Sequence, residues 1–347
     1  MIATMNDPLS TRGDHLSRRQ VALGLGAAGL GLLLGCGVGS SSSQPSARVA
    51  RVGFLSPSAP TAADTALDGL RQGLAERGWV EGRSLVFEQR YAEDQADRLP
   101  GLAAELAHLP VDVIVAVGGL AITAAKAATS TVPIVMSPGP DPVGQGYVAS
   151  FAHPGGNITG VTNISPELSA KRLELLHEAV PSATRVAVLW HPEAVVTALS
   201  WRETQAAASA LGLQLQSVEV HSADDFAAAF ATLTQAAPDA LIMLTDPLIN
   251  DHQARIALFA LERALPTMYD PPAFVHAGGL MAYGPNRADL WRRAATYVDR
   301  ILRGASPADV PVEQPMTFDL VVNLNTARAL GLTFPREILL QVTEAVQ

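Results

Sequence analysis

Apolar residues recur along this chain in two patterns, short continuous runs and longer stretches with helical spacing. The continuous or alternating apolar runs, typical of strands, lie at 49–55, 84–90, 111–117 and 133–136. The stretches with helical spacing lie between them, at 61–77, 95–108 and 121–128. Strands that alternate with helices of this length predict βαβ units and a parallel sheet, which places the chain in the α/β class.

The same order of elements returns later in the chain. RVAVL at 185–189 repeats RVGFL at 51–55, and DALIM at 239–243 repeats DVIVA at 112–116. PTMY at 266–269 likewise repeats PIVM at 133–136. The helices and strand predicted within the second copy lie at 195–211, 213–220 and 224–236. Three echoes in one order predict a duplicated domain with two similar lobes.

Further elements lie outside the repeat and suggest how the chain passes between the lobes. They are strands at 158–162, 279–284 and 316–322, and helices at 166–180, 286–302, 325–330 and 336–346. We expect residues 48–160 and part of 284–347 in the first lobe, and 161–283 in the second. Crossings near residues 160, 280 and 320 would form a multi-strand hinge, with the C-terminal helices returning to the first lobe.

Composition narrows the functional classes. The chain has 347 residues, of which 48% are hydrophobic and 16% charged, enough apolar material for two domains. Its formal net charge is −9 and it has no basic stripe, so nucleic acid is not an expected partner. The single cysteine, Cys36, excludes an intramolecular disulfide.

The first residues are typical of an export signal. The paired arginines Arg18 and Arg19 precede an uncharged run at 21–35, which is too short for a membrane span and resembles a twin-arginine signal peptide over 1–35. LLGC at 33–36 resembles a lipobox, in which Cys36 would be acylated and the residues 36–47 would form a tether. The alternative is a cysteine buried in an N-terminal helix. Lipidation would hold the protein on a membrane, in the periplasm or on the outer face of the membrane.

Several motifs together resemble one family. They are GFLSP at 53–57, HPGGNITG at 153–160, AGGLMAYG at 277–284, PVEQP at 311–315 and NLNTARALGL at 323–332. The chain is similar over 48–339 to ABC-transporter substrate-binding proteins that include tryptophan- and tyrosine-type binders. The resemblance implies the type I periplasmic-binding-protein fold, with two Rossmann-like lobes that clamp a small-molecule ligand. It departs from the family at Gly119 and Ala282, where threonine and serine are common, and both changes bear on the ligand's identity.

The candidate ligand-binding residues follow the strands, because ligands of open parallel sheets lie beyond the carboxyl ends of the strands. They are Ser56, Pro57, Gly118, Gly119, Asp141, Trp190, His191, Asp246, Tyr269 and Tyr283. An aspartate such as Asp246 could bind an ammonium group or cap the next helix. The glycines Gly118 and Gly119 could open a helix start to a carboxylate or only allow a tight turn. Trp190 and Tyr283 could stack on the ligand or pack in the hinge.

Two other functions remain open from the sequence. A two-lobed enzyme such as a glycosyltransferase should carry a nucleotide loop or a convergent acid–base set, and the sequence beyond the expected signal peptide shows no such motif. A sensor module for a receptor kinase would have the same fold as a transport protein. We expect no catalytic residue, metal or cofactor, and a monomer whose partners are the permease and ATPase subunits of an ABC importer.

Overall fold

The computed structural model describes residues 48–164, 166–193 and 195–347, which belong to one compact unit. In chain order, the strands are β1 (Ala50–Ser56), β2 (Leu85–Tyr91), β3 (Val113–Ala116), β4 (Ile134–Gly139), β5 (Ile158–Thr162), β6 (Arg185–Trp190), β7 (Gln214–Glu219), β8 (Ala240–Met243), β9 (Thr267–Tyr269), β10 (Met281–Pro285), β11 (Phe318–Asn323) and β12 (Glu344–Val346). The helices are α1 (Pro60–Ala75), α2 (Leu99–His108), α3 (Gly118–Ala128), α4 (Leu168–Ala179), α5 (Val195–Leu211), α6 (Phe226–Ala236), α7 (Pro247–Asp251), α8 (Gln253–Glu262), α9 (Pro272–His276), α10 (Arg287–Leu302), α11 (Leu324–Ala329) and α12 (Arg336–Leu339). The signal peptide, Cys36 and the tether lie outside the described residues.

The strands form two separate sheets, one for each copy of the repeat. The first is parallel with the order β2-β1-β3-β4-β5, and the second has the order β12-β11-β10-β9-β8-β6-β7. In the second sheet, β10 and β11 are antiparallel and the other pairs are parallel. Central strands such as β3 and β8 are apolar throughout and buried at every position, as expected for strands covered by helices on both faces. The α/β class predicted from the sequence is confirmed.

The repeat is visible in side-chain contacts as well as in strand order. Asp112, just before β3, accepts a hydrogen bond at 2.8 Å from the backbone N–H of Arg51 in β1. Asp239, just before β8, accepts one at the same distance from the backbone N–H of Arg185 in β6. Each aspartate therefore ties the amino end of the third strand of its copy to that of the first.

The chain passes between the sheets three times. It leaves the first sheet after β5, returns to it after β10 as helix α10, and enters the second sheet again at β11. Near the last crossing, the backbone N–H of Glu313 donates a hydrogen bond to the carbonyl of Gly160 in β5. The carbonyl of Glu313 accepts one from the backbone N–H of Thr162 in the same strand. The connecting segments therefore lie side by side between the lobes.

Helix α10 packs on α1 of the first lobe because two glycines allow a close approach. A Cβ atom at Gly69 would lie 2.7 Å from the Cβ of Trp291, and one at Gly73 would lie 2.6 Å from that of Ala295. Separations this short do not occur between real side chains, so alanine at either position would push the helices apart.

The C-terminal segment corrects one prediction. We expected the last helices to return to the first lobe, but Ala327, Phe334 and Ile338 are buried in the core of the second lobe. The helix expected over 336–346 ends at Leu339 as α12, and after a turn the residues Glu344–Val346 form the edge strand β12 beside β11. The prediction was wrong because pairing with β11, which is distant in sequence, decides the conformation of these residues.

Within the described residues, no helix combines the length and the apolar character that a membrane span requires.

Candidate functional site

The strand order reverses at one place in each lobe, and open parallel sheets bind ligands at such places. In the first sheet the reversal lies between β1 and β3, and in the second between β6 and β8. In the first lobe β1 ends at Ser56 and Gly118 lies beyond β3, and in the second lobe His191 and Asp246 lie beyond β6 and β8. These two edges form the candidate site.

In the first lobe, Ser56 is 1% exposed and ends β1. Its hydroxyl oxygen accepts a hydrogen bond from the backbone N–H of Ser58 at 3.2 Å, which shapes the turn into α1. The carbonyl of Pro57 accepts from the backbone N–H of Asp94, in the loop after β2, at 2.8 Å. Ser56 and Pro57 therefore fix the loop between the first two strands at the edge of the sheet.

Helix α3 begins at the predicted glycines. Gly118 has a φ of +73°, which favours glycine, and a Cβ at this position would meet nothing within 4 Å. The N-cap residue, Val117, provides no side-chain hydrogen bond within the described structure. The first N–H groups of α3 therefore lack a capping side chain, and open space adjoins the first residue of the helix. This arrangement suits an anionic group.

The hydroxyl of Tyr147 lies beside the start of helix α3. It donates a hydrogen bond to the carbonyl of Gly119 at 3.1 Å and lies 2.8 Å from the hydroxyl of Thr123. Burial raises the pKa of the Tyr147 phenol, and the hydrogen bond with Thr123 lowers it in part. The phenol therefore remains a neutral hydrogen-bonding group at neutral pH.

Ser137 was missed by the sequence reasoning. It is fully buried in β4, and its hydroxyl has no hydrogen-bond partner among the described residues. Strand pairing aligns Ala116 with Leu55 and with Met136, so Ser137 lies one residue beyond that row, as Ser56 does. A buried hydroxyl without a partner is unfavourable unless something outside the protein chain satisfies it. Its position directly after the predicted strand 133–136 was the available signal.

Asp141 belongs to its own turn. Its backbone is left-handed, with a φ of 35°, and Oδ1 accepts a hydrogen bond from the N–H of Gly144 at 3.0 Å. Its carboxylate therefore has a local structural role.

In the second lobe, His191 and Asp246 are brought together. Asp246 is 6% exposed and caps α7, because Oδ1 accepts the backbone N–H of Leu248 at 2.8 Å. The same oxygen lies 3.4 Å from Nδ1 of His191. Both ring nitrogens of His191 are buried and lack a hydrogen-bond partner within the described residues. The capping role considered for Asp246 is therefore present, and the capping oxygen also lies beside the His191 imidazole.

The three aromatic residues predicted to contact the ligand pack against other aromatic rings of the second lobe. Trp190 is buried, stacks on Trp201 with ring centroids 5.2 Å apart, and donates from Nε1 to Ser217. Tyr269 is fully buried, and burial raises the pKa of its phenol well above the ordinary value. It packs on Phe274, and its hydroxyl donates to Oδ1 of Asn250 at 2.7 Å.

Tyr283 stacks on Phe318 across the antiparallel pair β10–β11, with ring centroids 5.9 Å apart. Burial raises the pKa of its phenol. Its place beside the segments that connect the lobes agrees with the packing role considered from the sequence. A ligand contact for these three aromatic residues stays a prediction.

A buried ion pair lies beside the site and had no sequence signal. Arg172 of α4 and Asp270, directly after β9, are 2% and 5% exposed and form a salt bridge. Arg172 also donates from Nε to the carbonyl of Tyr283 at 2.7 Å. Gly284 makes room for the pair, because a Cβ there would lie 2.8 Å from Oδ1 of Asp270. This pair joins three elements near the crossings.

Acidic groups from both lobes affect one another. Burial raises the pKa of Asp251 at the end of α7, and the negative charges of Asp94 and Asp246 raise it further. Asp94 belongs to the first lobe and has a left-handed φ of 63°. Negative charges from the carboxyl edges of both lobes therefore act on the carboxyl group of Asp251.

Within the described part of the chain, no group of three or more His, Cys, Asp and Glu side chains could hold a metal ion.

Comparison with known proteins gives the following likenesses. A family model described as ABC transporter substrate binding protein matches residues 52–346. The tyrosine-binding protein of Clostridioides difficile strain R20291 is 24% identical over 315 residues, which cover 88% of this chain and 90% of that protein. The ABC domain in complex with L-Trp from Streptococcus pneumoniae has a TM-score of 0.79 at 24% identity, and the match covers 86% of this chain and 99% of that chain.

A leucine-binding protein from Thermotoga maritima is a more distant match. It has a TM-score of 0.57 at 17% identity, over 74% of this chain and 83% of that one. These likenesses confirm the predicted fold class, that of type I periplasmic binding proteins.

Proposed function

This chain belongs to the family of ABC transporter substrate-binding proteins, and on that premise we propose that it captures an amino acid between its two lobes and delivers it to an importer. The observation that carries the proposal is the difference in charge between the two edges. Gly118 opens an uncapped helix start in the first lobe, and Asp246 presents a buried carboxylate in the second. A zwitterion placed between these edges meets a partner for each of its charges.

The carboxylate end of the ligand would lie in the first lobe. The free N–H groups at the start of α3 attract negative charge. The buried hydroxyl of Ser137 has no hydrogen-bond partner among the described residues, and a carboxylate oxygen of the ligand would accept its hydrogen bond. The backbone space in front of Gly118 leaves room for such a group.

The ammonium end would lie in the second lobe, at Asp246. Charge-assisted hydrogen bonds contribute about 1.5–3 kcal/mol each, so a ligand that makes one at each end binds more tightly than a ligand that lacks either charged group. A ligand that touches both lobes stabilises the closed form, because only that form makes both sets of contacts. An importer can recognise that form.

Isothermal titration calorimetry with L-tryptophan and L-tyrosine tests the ligand class, since one related protein is named a tyrosine-binding protein and the structure of another is in complex with L-Trp. We expect binding of at least one, and at least about tenfold weaker binding of tryptamine and indole-3-propionate, which lack the carboxylate and the ammonium group respectively. The variant Ser137→Ala should weaken binding of the amino acid and leave the affinity for tryptamine unchanged. Equal affinities for all three indoles would overturn the zwitterion model.

The proposal includes export and lipid anchoring. Family members bind solutes outside the cytoplasm, and the motif ending at Cys36 supplies the acylation site by resemblance. Labelling with a fatty-acid analogue should mark the native chain and not Cys36→Ala, and Arg18→Lys with Arg19→Lys should retain the precursor if the signal is of the twin-arginine type. Deletion of the gene should reduce uptake of the ligand if the protein serves an importer, and leave uptake unchanged if it serves a receptor kinase.

A further inference from the structure

Acids and imidazoles alternate along the carboxyl edge of the second lobe. Nδ1 of His191 lies 3.4 Å from Asp246, and Nε2 lies 3.7 Å from Glu193. Glu193 in turn lies 3.2 Å from Nδ1 of His221. The line follows the strand order β8-β6-β7, because each member lies in a loop that follows one of these strands.

The inner half of this line is largely buried and the outer half is exposed. The side chains of His191 and Asp246 are 20% and 7% exposed, whereas those of Glu193 and His221 are 71% and 50% exposed. Water and salt screen the outer contacts, so they contribute little. The inner pair is where a change of charge has a large effect.

The buried ring nitrogens of His191 are unusual because they make no hydrogen bond within the described residues. Neither nitrogen has a hydrogen-bond partner among the described residues, although a carboxylate lies close to each. A proton on the second nitrogen turns both contacts into attractive charge pairs. A cation that approaches Asp246 from the cleft opposes that proton.

The other charged groups around this pair are mainly acidic. Burial raises the pKa of Asp251, and the negative charges of Asp94 in the first lobe and of Asp246 raise it further. Asp225 accepts the backbone N–H groups of His221 and Ser222 at the outer end.

Two further groups near the pair have their own partners. His252 at the end of α7 stacks on Phe226, and its ring lies 2.9 Å from the carbonyl of Leu248. Arg172 is engaged with Asp270. His191 is therefore the imidazole in contact with the carboxylate assigned to the ligand's ammonium group.

We propose that His191 and the ligand's ammonium group compete for Asp246, so that ligand capture is linked to the release of a proton. This inference rests on the proposed function and adds a regulation of the same site. In acid, the protonated His191 neutralises Asp246 and repels the ammonium group. When the ligand binds, the proton leaves His191 for the buffer, and the ammonium group takes its place beside the carboxylate.

The sign of the pH dependence follows. Imidazoles ordinarily titrate near pH 6.5, where the charges of an amino acid and of an aspartate are constant. Affinity should therefore fall as the pH falls through this range. One proton permits at most a tenfold change for each pH unit, and we expect an increase in Kd of about tenfold from pH 7.5 to 5.5.

Calorimetry at pH 6.0 in two buffers of different ionisation enthalpy measures the protons released for each ligand bound. With L-tryptophan or L-tyrosine as the probe, we expect release of a fraction of a proton by the native chain and none by His191→Gln. His153→Gln, which removes an exposed imidazole in the first lobe, is the control and should retain the release. Binding without proton release by the native chain, or release that persists in His191→Gln, would overturn the proposal.

The proposal and the proposed function can fail separately. If neither amino acid binds, the ligand class is wrong, and the pairing of His191 with Asp246 is then tested in the unliganded protein. Imidazole nitrogen chemical shifts should show a smaller protonated fraction of His191 in Asp246→Asn than in the native chain at pH 6.0. Equal fractions would show that Asp246 does not hold the proton and would overturn the proposal.

Discussion

The two lobes are alike at the amino ends of their strands and different at the carboxyl ends. At the amino ends, Asp112 and Asp239 make the same hydrogen bond to the first strand of their lobe, both at 2.8 Å. At the carboxyl ends, Ser137 follows the core of β4 with an unpartnered hydroxyl, whereas Asp270 follows β9 with a buried ion pair. One edge provides hydroxyl groups and free backbone N–H groups, and the other provides carboxylates.

This difference separates stability from function in a duplicated fold. Contacts that join strands at the amino ends serve both copies equally, and both copies retain them. The carboxyl edges face a shared ligand that has different ends, so identical edges would leave one end of a zwitterion without a partner. Each of the following variants tests one side of this contrast, from the largest expected effect to the smallest.

Arg172→Met should lower the free energy of unfolding by about 3–5 kcal/mol, because it removes the buried partner of Asp270 and leaves only the exposed Arg287, 3.9 Å away. Urea unfolding followed by circular dichroism measures the change. Lys171→Met is the matched control, since Lys171 forms an exposed pair with Glu174 on the same helix, and we expect a change within about 0.5 kcal/mol. Similar losses in both variants would mean that the buried pair has no special role.

Asp246→Asn should weaken amino-acid binding by about 10- to 100-fold, the value of one charge-assisted hydrogen bond. Asparagine can still cap α7, so the thermal midpoint should change little. Asp141→Asn in the first lobe is the comparison and should change affinity less than about threefold, because that carboxylate belongs to its own turn. The reverse order of effects would place the ammonium group in the first lobe.

Gly118→Ala should destabilise the protein by about 1–2 kcal/mol, because its φ of +73° is unfavourable for alanine. Gly101→Ala, at a helical position in α2 where an added Cβ meets nothing, should instead stabilise it by about 0.4–1 kcal/mol. Thermal unfolding should therefore show a lower midpoint for Gly118→Ala and a higher midpoint for Gly101→Ala than for the native chain. Calorimetry should also show weaker ligand binding for Gly118→Ala alone.

Trp190→Phe should cost about 1 kcal/mol of stability, through loss of the hydrogen bond to Ser217, and leave ligand affinity unchanged. Urea unfolding and calorimetry of the same preparation separate the two effects. A fall in affinity with no loss of stability would show that the indole faces the ligand, as the sequence suggested.

Asp239→Asn gives the smallest effect and one that depends on pH. Backbone N–H groups of Thr184 and Arg185 lower the pKa of Asp239, so its contribution to stability is present at neutral pH and is lost as the pH falls through the acid range below about 4. We expect the native chain to be slightly more stable than the variant at pH 7 and equal to it in strong acid, by urea unfolding at several pH values. A difference that persists unchanged in acid would exclude the carboxylate as the cause.

Much of the fold could be predicted, and the errors have a common cause. Continuous apolar runs predicted β3 and β8 because a strand covered on both faces has no polar position. The segment 336–346 was wrongly predicted as one helix because its last residues obtain their hydrogen bonds from β11, which no local pattern reveals. Periodicity also cannot show which lobe receives a segment after a crossing.

The site was predicted less completely. The strand ends drew attention to His191 and Asp246, which the fold brings together at the reversal of strand order, and their contact with a ligand stays a prediction. Ser137 and Arg172 were missed, since an unpartnered hydroxyl and a buried arginine are defined by what surrounds them.

The sequence by itself determined the order of most strands and helices, the duplication and the family, because these depend on local spacing and on motifs. The tertiary structure decided which strand ends lie together, which aspartate has a cation and which imidazole has no hydrogen bond. Those outcomes depend on burial and on charges contributed by residues far apart in the chain, such as Arg172 and Asp270. The local sequence pattern does not show which residues from distant parts of the chain come together in the fold.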